Sequence, residues 1–201
     1  MNKSPSTAAP EAVVQTIPKN SISQGQPHLP VNMHTGRITQ AALAHAIRAV
    51  EVMNHEQKVG LADEIFQYQP NLLASILVLP GMGVNMSDVE IALHVLLVAF
   101  EAMKRCGHTW PIVSEQVQEM CLQRLTEHMR FNEGLPVKTA NELVRKFCAE
   151  HREKQLLAFA YGNLGEHKLL GVQTDAHKPL VLAVLNLLQC IAYVGELPKS
   201  G

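Results

Sequence analysis

The fold is decided by the stretch from Ser87 to Cys106, which reads SDVEIALHVLLVAFEAMKRC. At about 100° per residue, its apolar side chains point in most directions around a helix axis. A helix that is apolar on most sides is buried on most sides. We therefore predict an interior helix over 88–106. A capping box of Ser87 and Glu90 is expected to begin it, and Gly107 is expected to end it in the left-handed conformation.

A second apolar stretch, residues 176–194, is predicted to be the other central helix. Its most hydrophobic part, from Leu180 to Val194, contains Asn186 and Gln189. It is also shorter than the roughly 20 residues that a bilayer-spanning helix needs. We interpret it as a helix buried inside protein and expect no membrane span.

Helical periodicity continues through the rest of the domain. Apolar residues recur at three-and-four spacing, and no stretch alternates with period two, so little or no sheet is expected. Because the apolar stripe of 139–162 changes direction, we predict a kink or turn near His151 to Lys154. The predicted fold is all-α, a compact single-domain bundle of about six to eight helices over residues 37–201. The remaining helices are predicted at 38–53, ended or interrupted by Gly60, and at 61–68, 71–79 and 111–130, with Pro111 in a first turn.

Residues 1–36 differ in composition from the domain that follows. They are rich in Ser, Pro, Gln, Asn and Thr and contain five prolines. Such a segment buries too little apolar surface to offset the entropy of ordering it. We predict a disordered N-terminal lead, and a recognition or secretion-targeting tail remains an alternative interpretation.

The cysteines and the absence of a signal-like apolar run near the N-terminus indicate a cytoplasmic protein. Cys106, Cys121, Cys148 and Cys190 are too far apart in sequence to supply the close pairs of a zinc site. Each lies within or beside an apolar helical stretch. We expect them to be reduced and mostly buried.

The charge distribution argues against a nucleic-acid partner. The chain carries 17 Lys and Arg against 18 Asp and Glu, for a formal net charge of −1. A phosphate backbone is normally met by a clustered basic face, whereas here the basic residues are scattered. The densest run, from Arg145 to Lys154, is interleaved with Glu142, Glu150 and Glu153. We interpret it as a solvated helix face with intrahelical ion pairs.

One polar strip runs along the predicted interior helix 88–106. Glu90, His94, Glu101 and Arg105 project within a narrow arc. The plainer interpretation is the solvated edge of a buried helix, with Glu90–His94 and Glu101–Arg105 as i,i+4 pairs. The alternative is a polar seam lining a groove, where a histidine beside a carboxylate titrates near neutral pH.

A second set of polar residues falls on apolar helix faces. Arg124 and His128 lie on the same side of their helix as Val117 and Cys121, and His151 follows an apolar stripe. The plainer interpretation is a hydrogen-bonded core histidine and an arginine that extends its head to the rim. If the three side chains converge, they could coordinate an anion or a carboxylate.

The sequence carries no motif that assigns a reaction. We find no adjacent His-Asp pair, no Glu-x-x-His pair, no His-Glu-x-x-His, no phosphate-binding glycine loop and no nucleophile elbow. We therefore expect no cofactor, no metal site and no catalytic residue. The predicted role is a non-catalytic protein-interaction or regulatory module that binds a protein partner or forms a homodimer. The alternative is an enzyme or small-ligand-binding protein that uses Glu90, His94, Arg124, His128 and His151.

Overall fold

The computed structural model describes residues 37–107, 110–132, 135–170 and 174–196. Within these ranges every regular element is helical and none is a strand, which confirms the predicted all-α fold. The predicted lead, residues 1–36, lies outside the described residues. The α-helices are α1 (Gln40–Glu51), α2 (His55–Tyr68), α3 (Pro70–Leu77), α4 (Met86–Arg105), α5 (Glu115–Asn132), α6 (Val137–Glu150), α7 (Lys154–Glu166) and α8 (His177–Glu196), with a short 3-10 helix at Leu79–Met82.

The two predicted interior helices, α4 and α8, form the centre of the bundle. They pack against each other, α1 and α3 cover α4, α5 lies along α8, and α7 contacts both. Most of the residues from Val89 to Met103 and from Leu180 to Gly195 are buried. By length and composition alone, α8 passes as a membrane-spanning candidate, but 67% of that apolar window is covered by the rest of the fold.

The start of α4 differs from the prediction. The N-cap lies two residues before the predicted one, at Asn85, whose side chain accepts a hydrogen bond of 2.9 Å from the amide of Asp88. Ser87 lies inside the first turn and donates to the Asn85 side chain at 2.6 Å. Asn caps a helix as well as Ser does, so the cap at Asn85 makes α4 longer at its start than predicted. The predicted end is confirmed, because Gly107 has a left-handed φ of 64°.

The boundary between the first two helices was also predicted wrongly. Gly60 lies inside α2, and the chain turns earlier, between Val52 and Asn54. Asn54 and Gln57 form a reciprocal capping box, with both hydrogen bonds at 2.9 Å. A satisfied cap stabilises a helix start by about 1 kcal/mol, which is comparable to the cost of one glycine in a helix interior.

The sequence predicted that Pro111 lies in the first turn of α5, and this prediction is wrong. Residues 111–114 are non-helical, and α5 starts at Glu115. The buried side chain of Gln69 donates to the Pro111 carbonyl and accepts from the Val113 amide, both at 2.9 Å. Asn71 donates to the Val113 carbonyl at 2.8 Å. These two side chains occupy the Pro111 and Val113 carbonyls, which a helical turn would use as acceptors, so the segment stays non-helical.

The predicted turn near His151 is present and separates α6 from α7. Glu153 is only 2% exposed, and its carboxylate accepts the amides of Arg37 at 2.8 Å and Ile38 at 3.1 Å. The interpretation of this region as a uniformly solvated face is therefore wrong at Glu153. Its carboxylate ties the beginning of the described chain to the α6–α7 turn.

Candidate functional site

The five predicted site residues lie in two separate cavities. Glu90 and His94 line one beside the start of α4. Arg124, His128 and His151 line another between α5, α6 and α8. The structure therefore does not bring all five side chains into one cluster. It does bring together the three for which convergence was the open question.

We call the second cavity the His–Arg cavity, and its volume is about 440 Å³. Two of its walls are helix stripes with the same spacing, because both use positions i, i+3, i+4 and i+7 of a helix, which share one face. The third wall is the end of α6 and the turn after it. The walls consist of Cys121, Arg124, Leu125 and His128 from α5, Gln189, Ala192, Tyr193 and Glu196 from α8, and Phe147, Glu150, His151 and Arg152.

The two histidines of the His–Arg cavity meet across one aromatic ring. The ring of His128 stacks on Phe147 with 5.2 Å between centroids, and His151 lies tilted against the same ring at 5.9 Å. The Nε2 atoms of both histidines are buried, and neither has a hydrogen-bond partner among the described residues. A buried polar group without a partner costs roughly 1–3 kcal/mol. Two such atoms in one wall are therefore unusual.

The tautomer of His151 follows from its neighbours. Its Nδ1 accepts the amide N–H of Glu153 at 3.1 Å. Burial lowers the pKa of His151, and an N–H donated to Nδ1 also favours the neutral ring. In a neutral imidazole that accepts at Nδ1, the proton resides on Nε2. The unpartnered Nε2 of His151 is therefore a hydrogen-bond donor that requires an acceptor.

The charged groups at the cavity mouth are unequally paired. Arg152 forms a salt bridge with Glu196, so these two charges offset each other. Arg124 forms no salt bridge with any described residue, and its guanidinium carbon lies 6.0 Å from the centre of the Tyr193 ring. Glu150 is exposed and lies 3.9 Å from Lys146. The mouth therefore presents one accessible cation above a wall that holds a buried donor.

The other cavity, around Glu90 and His94, has a volume of about 620 Å³ and also contains Lys58 and His167. Burial lowers the pKa of His94, with a further contribution from the charge of Lys58. The predicted Glu90–His94 pair is not formed among the described residues. This cavity is open and of mixed charge.

The other half of the predicted polar strip forms as expected only in part. Arg105 pairs with Glu101 at 2.8 Å, which confirms that i,i+4 pair. Glu101 is only 7% exposed, however, and also lies 3.4 Å from Lys104. The strip is therefore not a solvated edge along its whole length.

Several wall residues of the His–Arg cavity were not predicted. Tyr193 and Phe147 appear in the sequence only as apolar helix residues, and Arg152 only as part of a mixed-charge run. The spacing shared by Cys121, Arg124 and His128 was visible. The matching stripe on α8 could not be distinguished, because that helix is apolar on nearly all sides.

Within the described ranges, no group of three or more His, Cys, Asp or Glu side chains is placed to hold a metal ion. Comparison of this chain with protein-family models, curated proteins and solved structures gives no match.

Proposed function

We propose that this protein binds a small carboxylate-bearing molecule in the His–Arg cavity. The observation that carries the proposal is the buried Nε2–H donor of His151, which has no acceptor among the described residues. Because the ring is neutral and its tautomer is set by the Glu153 amide, the missing partner must be a hydrogen-bond acceptor. A carboxylate oxygen is a strong one.

The remaining walls fit an amphipathic acid rather than a bare ion. Phe147, Tyr193, Leu125 and Ala192 supply apolar surface, and Arg124 supplies a positive charge at the mouth. Ligand cavities typically combine a mainly apolar lining with a few convergent polar groups and span roughly 300–1,000 Å³. Both Nε2 atoms are covered from solvent, so binding includes a side-chain movement in the wall.

Benzoate is a suitable probe because its ring matches the aromatic wall and its carboxylate matches the donor. Titrating benzoate into the full chain should shift the imidazole NMR signals of His128 and His151 saturably, with a dissociation constant of about 1 mM. Arg124→Gln should weaken binding about 10- to 150-fold, since a hydrogen bond to a charged group contributes about 1.5–3 kcal/mol.

The matched control is Arg145→Gln, which removes an exposed arginine of α6 outside the cavity wall and should leave the affinity unchanged. Benzamide, a neutral ligand of similar shape, should bind much more weakly. Equal binding of benzamide would refute the carboxylate assignment. The absence of any saturable shift with either probe would refute the proposed site.

A second candidate function is self-association, which one further observation favours. From Ile65 to Ser87 no side chain carries a charge, although this stretch includes much exposed surface. Interface centres are depleted in charged residues and enriched in aromatic residues and Met. We therefore propose this uncharged segment as the surface that pairs with a second copy of the chain. Six of its large apolar side chains are more than half exposed: Phe66, Tyr68, Leu77, Val78, Met82 and Met86.

A further inference from the structure

Helices α5 and α8 are held in register by three successive contacts. The side chain of Asn186 donates to the Gln118 carbonyl at 3.2 Å. One turn further on, Cys121 and Cys190 come close enough for each side chain to shift the pKa of the other, and the Cys190 thiol donates to the Asn186 carboxamide oxygen at 3.9 Å. Another turn on, Arg124 lies over Tyr193. Because the order of contacts is the same along both helices, they run in parallel here, with the two sulfurs in the middle.

The two thiols differ in their surroundings. Cys121 is 4% exposed and forms part of the wall of the His–Arg cavity, whereas Cys190 is fully buried behind it. Interaction with the Cys190 side chain lowers the pKa of Cys121 despite its burial, and Arg124 contributes in the same direction. The same contact and burial raise the pKa of Cys190. Cys121 is therefore the better nucleophile of the pair.

The other two cysteines provide a contrast within the same chain. Cys106 and Cys148 are half-buried, and burial raises the pKa of both. Cys106 donates its thiol proton to the Ala102 carbonyl at 3.1 Å. Neither lines the His–Arg cavity. All four cysteines are free thiols in this structure.

We propose that Cys121 and Cys190 form a redox modification site, at which hydrogen peroxide entering the His–Arg cavity converts the two thiols to a disulfide between α5 and α8. The contacts on either side, Asn186 with Gln118 and Arg124 with Tyr193, hold the two cysteines next to each other, and the cavity gives a small oxidant a route to Cys121. A large oxidant such as glutathione disulfide would have to bring its sulfur to an almost fully covered thiol. The inference does not depend on ligand binding at the cavity.

The chemistry balances in two steps. The Cys121 thiolate attacks one oxygen of hydrogen peroxide, the O–O bond breaks, and hydroxide leaves and takes up the proton lost by the thiol to become water. The product is the Cys121 sulfenic acid. The Cys190 sulfur then attacks the sulfenic sulfur, the S–O bond breaks, and the departing hydroxide takes the Cys190 proton as a second water. Sulfur is oxidised and peroxide oxygen is reduced.

The test is peroxide treatment of the full chain, followed by peptide mapping under non-reducing conditions. We expect a Cys121–Cys190 linked peptide that a dithiol reductant removes. Because the bond closes a loop of about 70 residues, the oxidised protein should unfold several degrees higher than the reduced protein. Glutathione disulfide at equal concentration should produce the bond much more slowly.

Cysteine variants distinguish Cys121, which attacks the peroxide, from Cys190, which attacks the sulfenic acid. Cys190→Ser should leave a Cys121 sulfenic acid that dimedone traps, whereas Cys121→Ser should abolish both the trapped adduct and the disulfide. Cys106→Ser and Cys148→Ser are the matched controls and should retain the linked peptide. The proposal is overturned if peroxide gives no Cys121–Cys190 peptide in the folded wild type, or if dimedone labels Cys106 or Cys148 before Cys121.

Discussion

His151 is a buried histidine whose charge state is coupled to folding. Burial lowers its pKa in the folded protein below the ordinary value of 6.5. Between those two pKa values the unfolded chain binds more protons than the folded one. The free energy of unfolding therefore rises with pH through this window and levels off above 6.5. As the pH falls below 6.5, this stability is lost, and the slope for one proton approaches about 1.4 kcal/mol per pH unit.

Urea unfolding of His151→Gln between pH 5 and pH 8 measures this coupling, with the wild type as reference. We expect a flatter pH dependence in the variant. His45→Gln, which changes an exposed histidine of α1, should reproduce the wild-type curve. His94 contributes a slope of the same sign, so the variant keeps part of the dependence. Identical curves for His151→Gln and the wild type would contradict a neutral buried His151.

The candidate site could be predicted only in part from the sequence. Helical spacing placed Arg124 and His128 on one face, and in the structure His151 lines the same cavity as these two residues. What spacing cannot give is the partner of each polar atom. The acceptor role of His151 Nδ1 depends on the α6–α7 turn, and the contact between Cys121 and Cys190 depends on the register of two helices far apart in sequence.

Among the elements, the α2–α3 junction determines where α5 begins. Gln69 is 2% exposed and bonds Pro111 and Val113 through both atoms of its amide. Gln69→Leu keeps a similar volume but leaves a buried carbonyl and a buried amide without partners. We expect a loss of about 2–4 kcal/mol in the free energy of unfolding, measured by urea denaturation.

Gln67→Leu provides the matched control, since it makes the same change at an exposed position of α2. Its effect should stay within about 0.5 kcal/mol. Equal losses in both variants would show that the hydrogen bonds from Gln69 to residues 111 and 113 are not the source of the destabilisation.

Helix existence was easier to predict than helix ends, and the reason is physical. Burial of α4 and α8 follows from composition, because most of their residues are apolar whichever way they face. An end is decided by one or two hydrogen bonds of similar strength. Asn85 rather than Ser87 caps α4. Gln69, which lies 42 residues before Pro111, binds the Pro111 carbonyl that a helical start there would use.

For the whole molecule, the surface least suited to contact with water is the uncharged segment from Ile65 to Ser87. Large exposed apolar patches commonly mark interaction sites, and a symmetric pair would cover the same segment on both copies. Sedimentation velocity of the full chain over a range of concentrations should show a reversible monomer–dimer equilibrium. Leu77→Lys should shift it towards monomer at least roughly tenfold, since pairing would bury an uncompensated charge.

The variant Val52→Lys tests whether dissociation is specific to the uncharged segment or follows from a charge at any exposed apolar residue. Val52 is 83% exposed, more than Leu77 at 58%, but it lies outside the uncharged segment. If pairing uses the segment, Val52→Lys keeps the wild-type dimer while Leu77→Lys dissociates it, with both variants melting near the wild type. A wild type that sediments as a monomer at its highest soluble concentration would exclude the homodimer. Carboxylate binding and the Cys121–Cys190 site would remain, because the residues that carry them lie in α5, α6, α8 and the α6–α7 turn, outside the uncharged segment.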